Sequence, residues 1–488
     1  MKKPDYSWQQ RCVDEILASV AAGNRAYLVN ATPGAGKTHM TSTLAAHMLK
    51  SEAINFVVVV TPSGTICDHF VEDMGAAGVL LSRVNSGSDL TRMETEGFGL
   101  NVHGLCLTTG MLFANAKRVA KLIKLKRVLH VSDEAHHNGE TMGWGKAALA
   151  VSDEAVLRLG LSGTPYRSDS ERIAFLRYEE GKGMPQCNFT FEDARTAGII
   201  TDIYFRSVSG YVAVLDTSVS KKAIRYDFGD DLDDETATRR LRYALDYRSP
   251  YLKRLIKEAD NELQRIRNTE QPNAAGIVFA SGVKQARRID EYLRSLGRKV
   301  CLVIEDADAS KAVERFNEGD QEWLVQIRMV YEGANIPRLR VGVYATTYAT
   351  ESFFDQASKR LVRRLPDVDP ESMPAVMFIP ADEIIENLAD ELGDVTPHII
   401  DENDIEGRRD ERGPFDINDD GAMGELGYFE IVDGDAYLSF AMVDGKKYSA
   451  DDIAAIDAYL DANFPKLAKH STSYRLRFHN ILAEAGKL

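Results

Sequence analysis

The sequence is short of the features that mark exported, membrane-spanning or disulfide-built proteins. Its five cysteines (Cys12, Cys67, Cys106, Cys187 and Cys301) stand singly, without the paired spacing of a zinc site and in odd number for a disulfide framework. They read as reduced, mostly buried thiols. No apolar run, Phe56 to Val60 being among the longest, approaches the roughly 20 residues that cross a bilayer. The opening Met1-Lys2-Lys3-Pro4-Asp5 leads into no apolar signal segment. A cytoplasmic protein without membrane attachment is expected, and no short-period repeat is present. Excess positive charge is lacking as well: 59 Lys and Arg against 74 Asp and Glu give a formal net charge of −15, which at first sight argues against a phosphate-rich partner.

That average hides an uneven distribution. Pro366 to Asp435 carries 22 acidic residues against three basic ones (Arg408, Arg409 and Arg412), a local charge of −19 that leaves +4 on the rest. Such a block reads as a solvated surface or linker. The sharper reading is a mobile polyanion that competes with nucleic acid for a positive groove elsewhere. What the chain has in quantity, 44% hydrophobic and 27% charged residues over 488 positions, suits several soluble globular units.

Apolar β-rich runs alternate with amphipathic helical stretches from Trp8 to about Phe205, the pattern of a parallel sheet covered by helices. Strands are expected at Tyr27 to Asn30, Phe56 to Thr61, Gly104 to Leu107, Arg127 to Ser132 and Leu157 to Ser162. The pattern restarts after Asn268 to Asn273, with strands at Gly276 to Phe279, Val300 to Ile304, Trp323 to Ile327, Arg340 to Ala345 and Ala375 to Ile379. The chain therefore divides into an α/β unit over 1–205, a connector over 206–267, a second α/β unit over 268–390, and an acidic linker with a small α+β appendage over 391–488. The connector holds an acidic loop (Asp227 to Glu235) and a charged helical stretch (Glu235 to Ile266). In the tail, Asp433-Gly434 and Asp444-Gly445 suggest hairpin turns. Ser449 suits an N-cap for a helix running to about Asn463, and another helix is expected over Tyr474 to Ala485.

The sharpest chemical signal is Ala31-Thr32-Pro33-Gly34-Ala35-Gly36-Lys37-Thr38, set between an apolar strand and a helix. Small residues let backbone N–H groups close around phosphate oxygens, Lys37 reaches the β and γ phosphates of ATP, and the Thr38 hydroxyl ligates Mg2+. A second signal, Asp133-Glu134-Ala135-His136, closes another apolar run at the sheet edge where ligands bind. Asp133 can hold the magnesium ion, and Glu134 can orient and deprotonate an attacking water. The carboxylates could instead merely cap the next helix. The third, Ser162-Gly163-Thr164-Pro165-Tyr166-Arg167, ends a further strand.

Taken in order, these motifs resemble those of superfamily 2 helicases and translocases, and look closest to the branch of type III restriction helicase subunits and phage recombination helicases. The resemblance implies two tandem RecA-like domains forming an ATP cleft, with the small appendage beside them. It also implies roles for further residues. Gln9 matches the family's adenine-reading glutamine, with Gln10 as a rival. Thr61-Pro62-Ser63 and Thr108-Thr109-Gly110 match motifs whose hydroxyls and N–H groups grip nucleic-acid phosphates. His136, Ser162 and Thr164 would couple hydrolysis to domain movement. In the second unit, Glu332-Gly333-Ala334-Asn335-Ile336-Pro337 resembles Glu-Gly-x-Asp-x-Pro, so Gly333 and Asn335 would touch the nucleotide. Gln356-Ala357-Ser358-Lys359-Arg360-Leu361-Val362-Arg363 resembles Gln-x-x-Gly-Arg-x-x-Arg, with Lys359 where the family has Gly. Gln356, Arg360 and Arg363 are then catalytic, the two arginines on one helical face at i, i+3.

The function implied is an ATP-dependent DNA helicase or translocase, with DNA preferred over RNA by resemblance of the Ser162 motif, acting as a monomer with a possible protein partner at the appendage. Two other classes stand beside it: a nucleic-acid-stimulated ATPase that clamps or remodels without unwinding, and the motor of a restriction-like nuclease, for which Asp435 with Asp444-Gly445-Lys446 is a loose metal-site pattern. The basic run Lys117, Arg118, Lys121, Lys124, Lys126 and Arg127 is either a solvated helix face or part of the strand path.

Overall fold

The computed structural model describes residues 4–164, 171–216, 219–220, 222–304, 309–327, 336–365, 374–392, 429–443, 446–465 and 472–484. The first part runs α1 (Ser7–Ala21), β1 (Ala26–Ala31), α2 (Lys37–Lys50), β2 (Phe56–Thr61), α3 (Gly64–Ala76), β3 (Leu81–Val84), α4 (Gly87–Glu96), β4 (Gly104–Thr108), α5 (Thr109–Ile123), β5 (Val128–Ser132), α6 (Gly143–Ser152), β6 (Leu157–Ser162), β7 (Arg177–Glu179), β8 (Lys182–Met184), β9 (Cys187–Phe189) and α7 (Phe191–Thr196). Its main sheet has the order β3-β4-β2-β5-β6-β1-β9, and every pairing in it is parallel. β2 shows why the sequence reads as an unbroken apolar run: Val57 and Val59 enter one core, Phe56, Val58 and Val60 the other. Helices cover both faces, so alternate side chains are all removed from water.

The second part runs β10 (Ile203–Asp216), β11 (Ile224–Asp227), α8 (Asp234–Ala244), α9 (Pro250–Thr269), β12 (Ala275–Ala280), α10 (Val283–Ser295), β13 (Val300–Val303), α11 (Ala309–Glu318), β14 (Trp323–Ile327), β15 (Leu339–Ala345), α12 (Glu351–Lys359), β16 (Ala375–Pro380), α13 (Glu383–Asp390), β17 (Phe429–Val443), β18 (Lys446–Ser449), α14 (Ala450–Asn463) and α15 (Thr472–Glu484). Its nine-stranded sheet has the order β13-β14-β12-β15-β16-β10-β17-β18, with β11 on β10. The strands from β13 to β10 pair in parallel, whereas β11, β17 and β18 add antiparallel edges. Two tandem α/β units of the RecA-like kind result.

Residues 206–267 differ from the expected connector. β10 lies inside the second sheet, and α9 buries Tyr251, Leu252, Leu255, Ile256, Ala259, Leu263 and Ile266 in its core. The expected single helical stretch is broken, because Ser249-Pro250 starts a new helix with proline in the first turn. The acidic loop has a local task, Asp233 Oδ1 accepting from the N–H of Thr236 at the head of α8 (3.0 Å). The tail is likewise fused to the sheet: β17 pairs with β10 from Phe205 opposite Met442 to Asp216 opposite Phe429. Asp433-Gly434 makes no hairpin turn but lies within β17. Asp444-Gly445 lies outside the described residues, between strands that pair antiparallel at Val443 and Lys446. α14 and α15 pack a small cluster, Ile453, Ile456, Leu460, Leu476 and Leu482, against Tyr204 and Ala441. Ser449 and Asp452 form the expected capping box. Most of the acidic block, residues 366–373 and 393–428, lies outside the described residues. No described helix is long and apolar enough to cross a membrane, and all five cysteines are buried.

The two units touch through the segment after α12. Val362 is buried in the first unit's core, the N–H of Thr201 donates to its carbonyl (3.0 Å), and Arg364 Nη1 donates to the Gly198 carbonyl (2.7 Å). Residue 363 forms an antiparallel bridge with Ile200.

Candidate nucleotide-binding site

The loop between β1 and α2 turns on two glycines in left-handed conformations, Gly34 at φ +90° and Gly36 at φ +86°, where a side chain would be strained. Lys37 opens α2, and its Nζ donates to the Ala31 carbonyl (3.2 Å) while lying 3.8 Å from Glu134 Oε1. Trp8 Nε1 and Gln9 Nε2 both donate to the Ala35 carbonyl (3.2 Å each), and Gln9 also to that of Gly36 (3.1 Å). Trp8 is held by stacking on Phe189 with ring centres 4.7 Å apart. This separates the rival glutamines: Gln10 points to Asp14 (2.8 Å) on the exposed side of α1.

Asp133 and Glu134 leave the C-terminal end of β5. The Asp133 N–H donates to the Val60 carbonyl (2.8 Å), which fixes the turn, and Glu134 adopts a left-handed φ of +48°, a strained setting of the kind found at functional sites. Burial alone would raise its carboxyl, but Lys37, then His136, His137 and Lys359, bring it below its ordinary value. His136 is buried, its Nδ1 2.9 Å from Ser162 Oγ and 3.5 Å from Glu134 Oε2. Ser162 Oγ in turn accepts from the N–H of Thr164 (3.1 Å). A continuous path of contacts thus runs Lys37, Glu134, His136, Ser162, Thr164. Thr38 stands in the first turn of α2, so its hydroxyl and the Asp133 carboxylate are oxygen donors of the type magnesium takes.

The second unit reaches this loop. A Cβ built on Gly34 would lie 2.5 Å from Arg363 Nη1, so the guanidinium rests on the bare glycine. Burial, and then the neighbouring Arg360, push Arg363 down to about 10. Its Nε and the buried Thr32 Oγ1 have no hydrogen-bond partner among the described residues, which suits a site shaped for an anion bearing several acceptor oxygens. The expected helical arrangement of the arginines is corrected: α12 ends at Lys359, Arg360 is its C-cap, and Arg363 sits in the extended segment bridged to Ile200. Gln356 lies on α12. Lys359 is buried and paired with Asp355 (2.7 Å), a feature the motif comparison did not signal beyond the substitution of lysine for glycine. Gly333 and Asn335 lie outside the described residues, as do Pro165, Tyr166 and Arg167.

The residues expected to grip nucleic acid gather at adjacent strand ends, but their hydroxyls are committed locally. Thr61 Oγ1 donates to the Ser63 carbonyl (2.8 Å), and Thr109 Oγ1 to the Thr61 carbonyl (3.1 Å). Both threonines are buried. Ser63 and Thr108 cap α3 and α5 by accepting from Ile66 and Met111. Pro62 and Gly110 line the same edge, Gly110 exposed. In the basic run, Arg118 is bound to Glu94 (2.8 Å), and Lys126 lies over the rings of Phe56 and Phe98. Asp435 lies in β17 opposite Tyr211, and among the described residues no cluster of three or more His, Cys, Asp or Glu could hold a metal.

The fold and loop define a P-loop protein of two tandem α/β units. Residues 2–167 match the family described as "Type III restriction enzyme, res subunit". The chain is 30% identical over 456 residues to the uncharacterized protein ML1624 of Mycobacterium leprae (strain TN), covering 91% of this chain and 74% of that one. It is 30% identical over 405 residues to the uncharacterized protein Rv2917 of Mycobacterium tuberculosis (strain ATCC 25618 / H37Rv), covering 81% and 64%. Against a fragment described as an HsdR subunit of a type I restriction enzyme from Vibrio vulnificus YJ016 the TM-score is 0.53 at 16% identity, over 80% of this chain and 66% of that one, a likeness of fold. The chain belongs to one family with these mycobacterial proteins, its residues 2–167 are related to the res subunit of type III restriction enzymes, and its fold is that of tandem RecA-like helicase units.

Proposed function

We propose that the protein is an ATP-dependent DNA translocase or helicase, converting ATP hydrolysis into movement along one strand and separation of the duplex ahead. The observation that carries this reading is the contact of Arg363 with Gly34: the hydrolytic loop is incomplete without a cation from the other unit, so nucleotide occupancy and unit closure are linked. Lys37 and the loop N–H groups hold the β and γ phosphates, Gln9 reads the base, and Thr38 and Asp133 hold magnesium. When bound, that ion neutralises phosphate charge. Glu134 takes a proton from the attacking water, while Arg363 and Arg360 stabilise charge on the transferred phosphoryl group. His136, Ser162 and Thr164 link Glu134 to the end of β6, and Pro62, Ser63, Thr108 and Gly110 meet the strand by backbone and edge contacts.

DNA is preferred to RNA on the resemblance of Ser162-Gly163-Thr164-Pro165-Tyr166-Arg167 to the DNA-acting branch. ATP hydrolysis measured in parallel with single-stranded DNA, forked DNA and RNA, together with fork unwinding, tests the reading. Stimulation by DNA with strand separation is expected; stimulation without separation would favour a clamp or remodelling ATPase, and no nucleotide hydrolysis under any condition would end the proposal.

A further inference from the structure

Large apolar side chains standing in water are ordinary when scattered, but three of them here gather about one glycine. Phe113 on α5 is 55% exposed, Met142 and Trp144 at the head of α6 are 48% and 45% exposed. They come together at Gly143: a Cβ there would lie 2.7 Å from the Phe113 ring, so the ring lies against the glycine, whose neighbours in the chain are Met142 and Trp144. The packing beneath is tight, because Gly145 leaves no room for a Cβ beside the Gly139 carbonyl. The patch is therefore held in place on two helices.

Its surroundings are cationic. α5 kinks at Asn115 (φ −130°, ψ 18°), with Gly110 and Phe113 before the kink and Lys117 and Lys121, one turn apart, after it, and Lys124 caps the helix. Lys117, Lys121, Lys124 and, on α6, Lys146 are exposed. Among the acidic groups, Glu171 accepts from the Thr141 N–H (3.2 Å) and hydroxyl, Glu140 is partly buried, Glu94 is paired with Arg118 (2.8 Å), and Asp153 and Glu154 are exposed just beyond the far end of α6. Gly110, in the first turn of α5, lies on the strand-end edge described above.

We propose that Phe113, Met142 and Trp144 form a stacking platform for the bases of single-stranded DNA, with the lysine stripe of α5 tracking its phosphates. Aromatic faces accept any base, and alternating cations neutralise the backbone, the combination by which single strands are held without sequence preference. This inference rests on the DNA-motor reading and adds a site outside its motifs.

The molecule carries its own reporter. Of the three tryptophans, Trp8 and Trp323 are buried at 2% and 0% exposure, so Trp144 is the one placed to feel a stacked base. The intact chain titrated with oligothymidylate should show quenched tryptophan emission. An abasic oligodeoxynucleotide of equal length, with the same charge and no bases, should bind more weakly and leave the emission unchanged. Phe113→Ala should weaken oligothymidylate binding roughly 5- to 100-fold at an unchanged melting temperature, and Trp144→Phe should remove the quench. Tight oligothymidylate binding with unquenched emission and full affinity in Phe113→Ala would overturn the inference and assign the patch to a protein contact. Failure of the wider reading looks different: no strand binds and none stimulates hydrolysis, which overturns both.

Discussion

Arg363 of the second unit lies against Gly34 of the phosphate loop, close enough that a Cβ on the glycine would come within 2.5 Å of its Nη1. This places a cation of the second unit directly on the phosphate loop of the first. The guanidinium is partly buried, its Nε without a partner among the described residues, and a phosphate chain in the loop would provide the missing acceptors. Arg363→Ala should therefore lower the turnover of ATP about 10³-fold or more while leaving nucleotide binding within a few-fold, checked by steady-state hydrolysis and fluorescent-nucleotide titration. Arg363→Lys should rescue little, since an ammonium cannot reproduce the planar fork. Unchanged turnover in Arg363→Ala would remove the basis for coupling closure to hydrolysis.

Glu134 and Lys37 face each other at 3.8 Å, and their replacements should fail in different ways. Lys37→Ala removes the cation that meets the phosphates, so both binding and turnover should fall. Glu134→Gln keeps the shape and removes the base, so turnover should drop about 10²- to 10⁴-fold while ATP stays bound. Single-turnover assays and retention of labelled nucleotide on a filter distinguish the two.

Legibility in the sequence followed physical type. Strands buried on both faces, such as β2 and β12, carry apolar runs that can be read directly, and the loops at their C-terminal ends carry the motifs. β3 was illegible because two of its four residues, Ser82 and Arg83, are polar. β10 reads as connector because Arg206, Ser207 and Ser209 interrupt it, yet these are buried, and two of them meet remote partners: Arg206 Nη1 donates to Glu262 (3.3 Å), and Ser207 to Glu386 (2.5 Å). Pairing over such distances leaves no local signal. The choice between Gln9 and Gln10 likewise needed the turn of α1, and the arginine spacing misled because α12 stops at Lys359.

The same misreading changes what truncation should do. An appendage could be removed near Asp390 at little cost, but β17 covers the open edge of β10 along nearly its whole length and inserts Phe429 into the second core beside Tyr243 and under Arg248. A chain ending at Asp390 would leave that edge unpaired, a template for aggregation. Low soluble yield and a depressed melting temperature are expected, and Phe429→Ala alone should cost about 3–5 kcal/mol in denaturant unfolding. A truncated chain that melts like the intact one would show the tail to be dispensable after all.

His130, in the middle of β5, is fully buried with neither ring nitrogen hydrogen-bonded among the described residues. Burial, with Arg158 adding a smaller repulsion, pushes it down to about 3, below the ordinary value near 6.5 that it regains on unfolding. The folded chain therefore binds fewer protons than the unfolded chain between about pH 3 and 6.5, and stability rises with pH across that window and is lost as pH falls, at up to about 1.4 kcal/mol per unit from this group. His130→Val places a β-branched apolar residue in the strand and removes two unpaired polar atoms, so it should gain about 1–3 kcal/mol at neutral pH and flatten the acid limb. Urea unfolding at pH 7.5, 6 and 5 for both chains measures this; parallel pH profiles would mean that the ring is hydrated or paired in solution and that the strand tolerates it without cost.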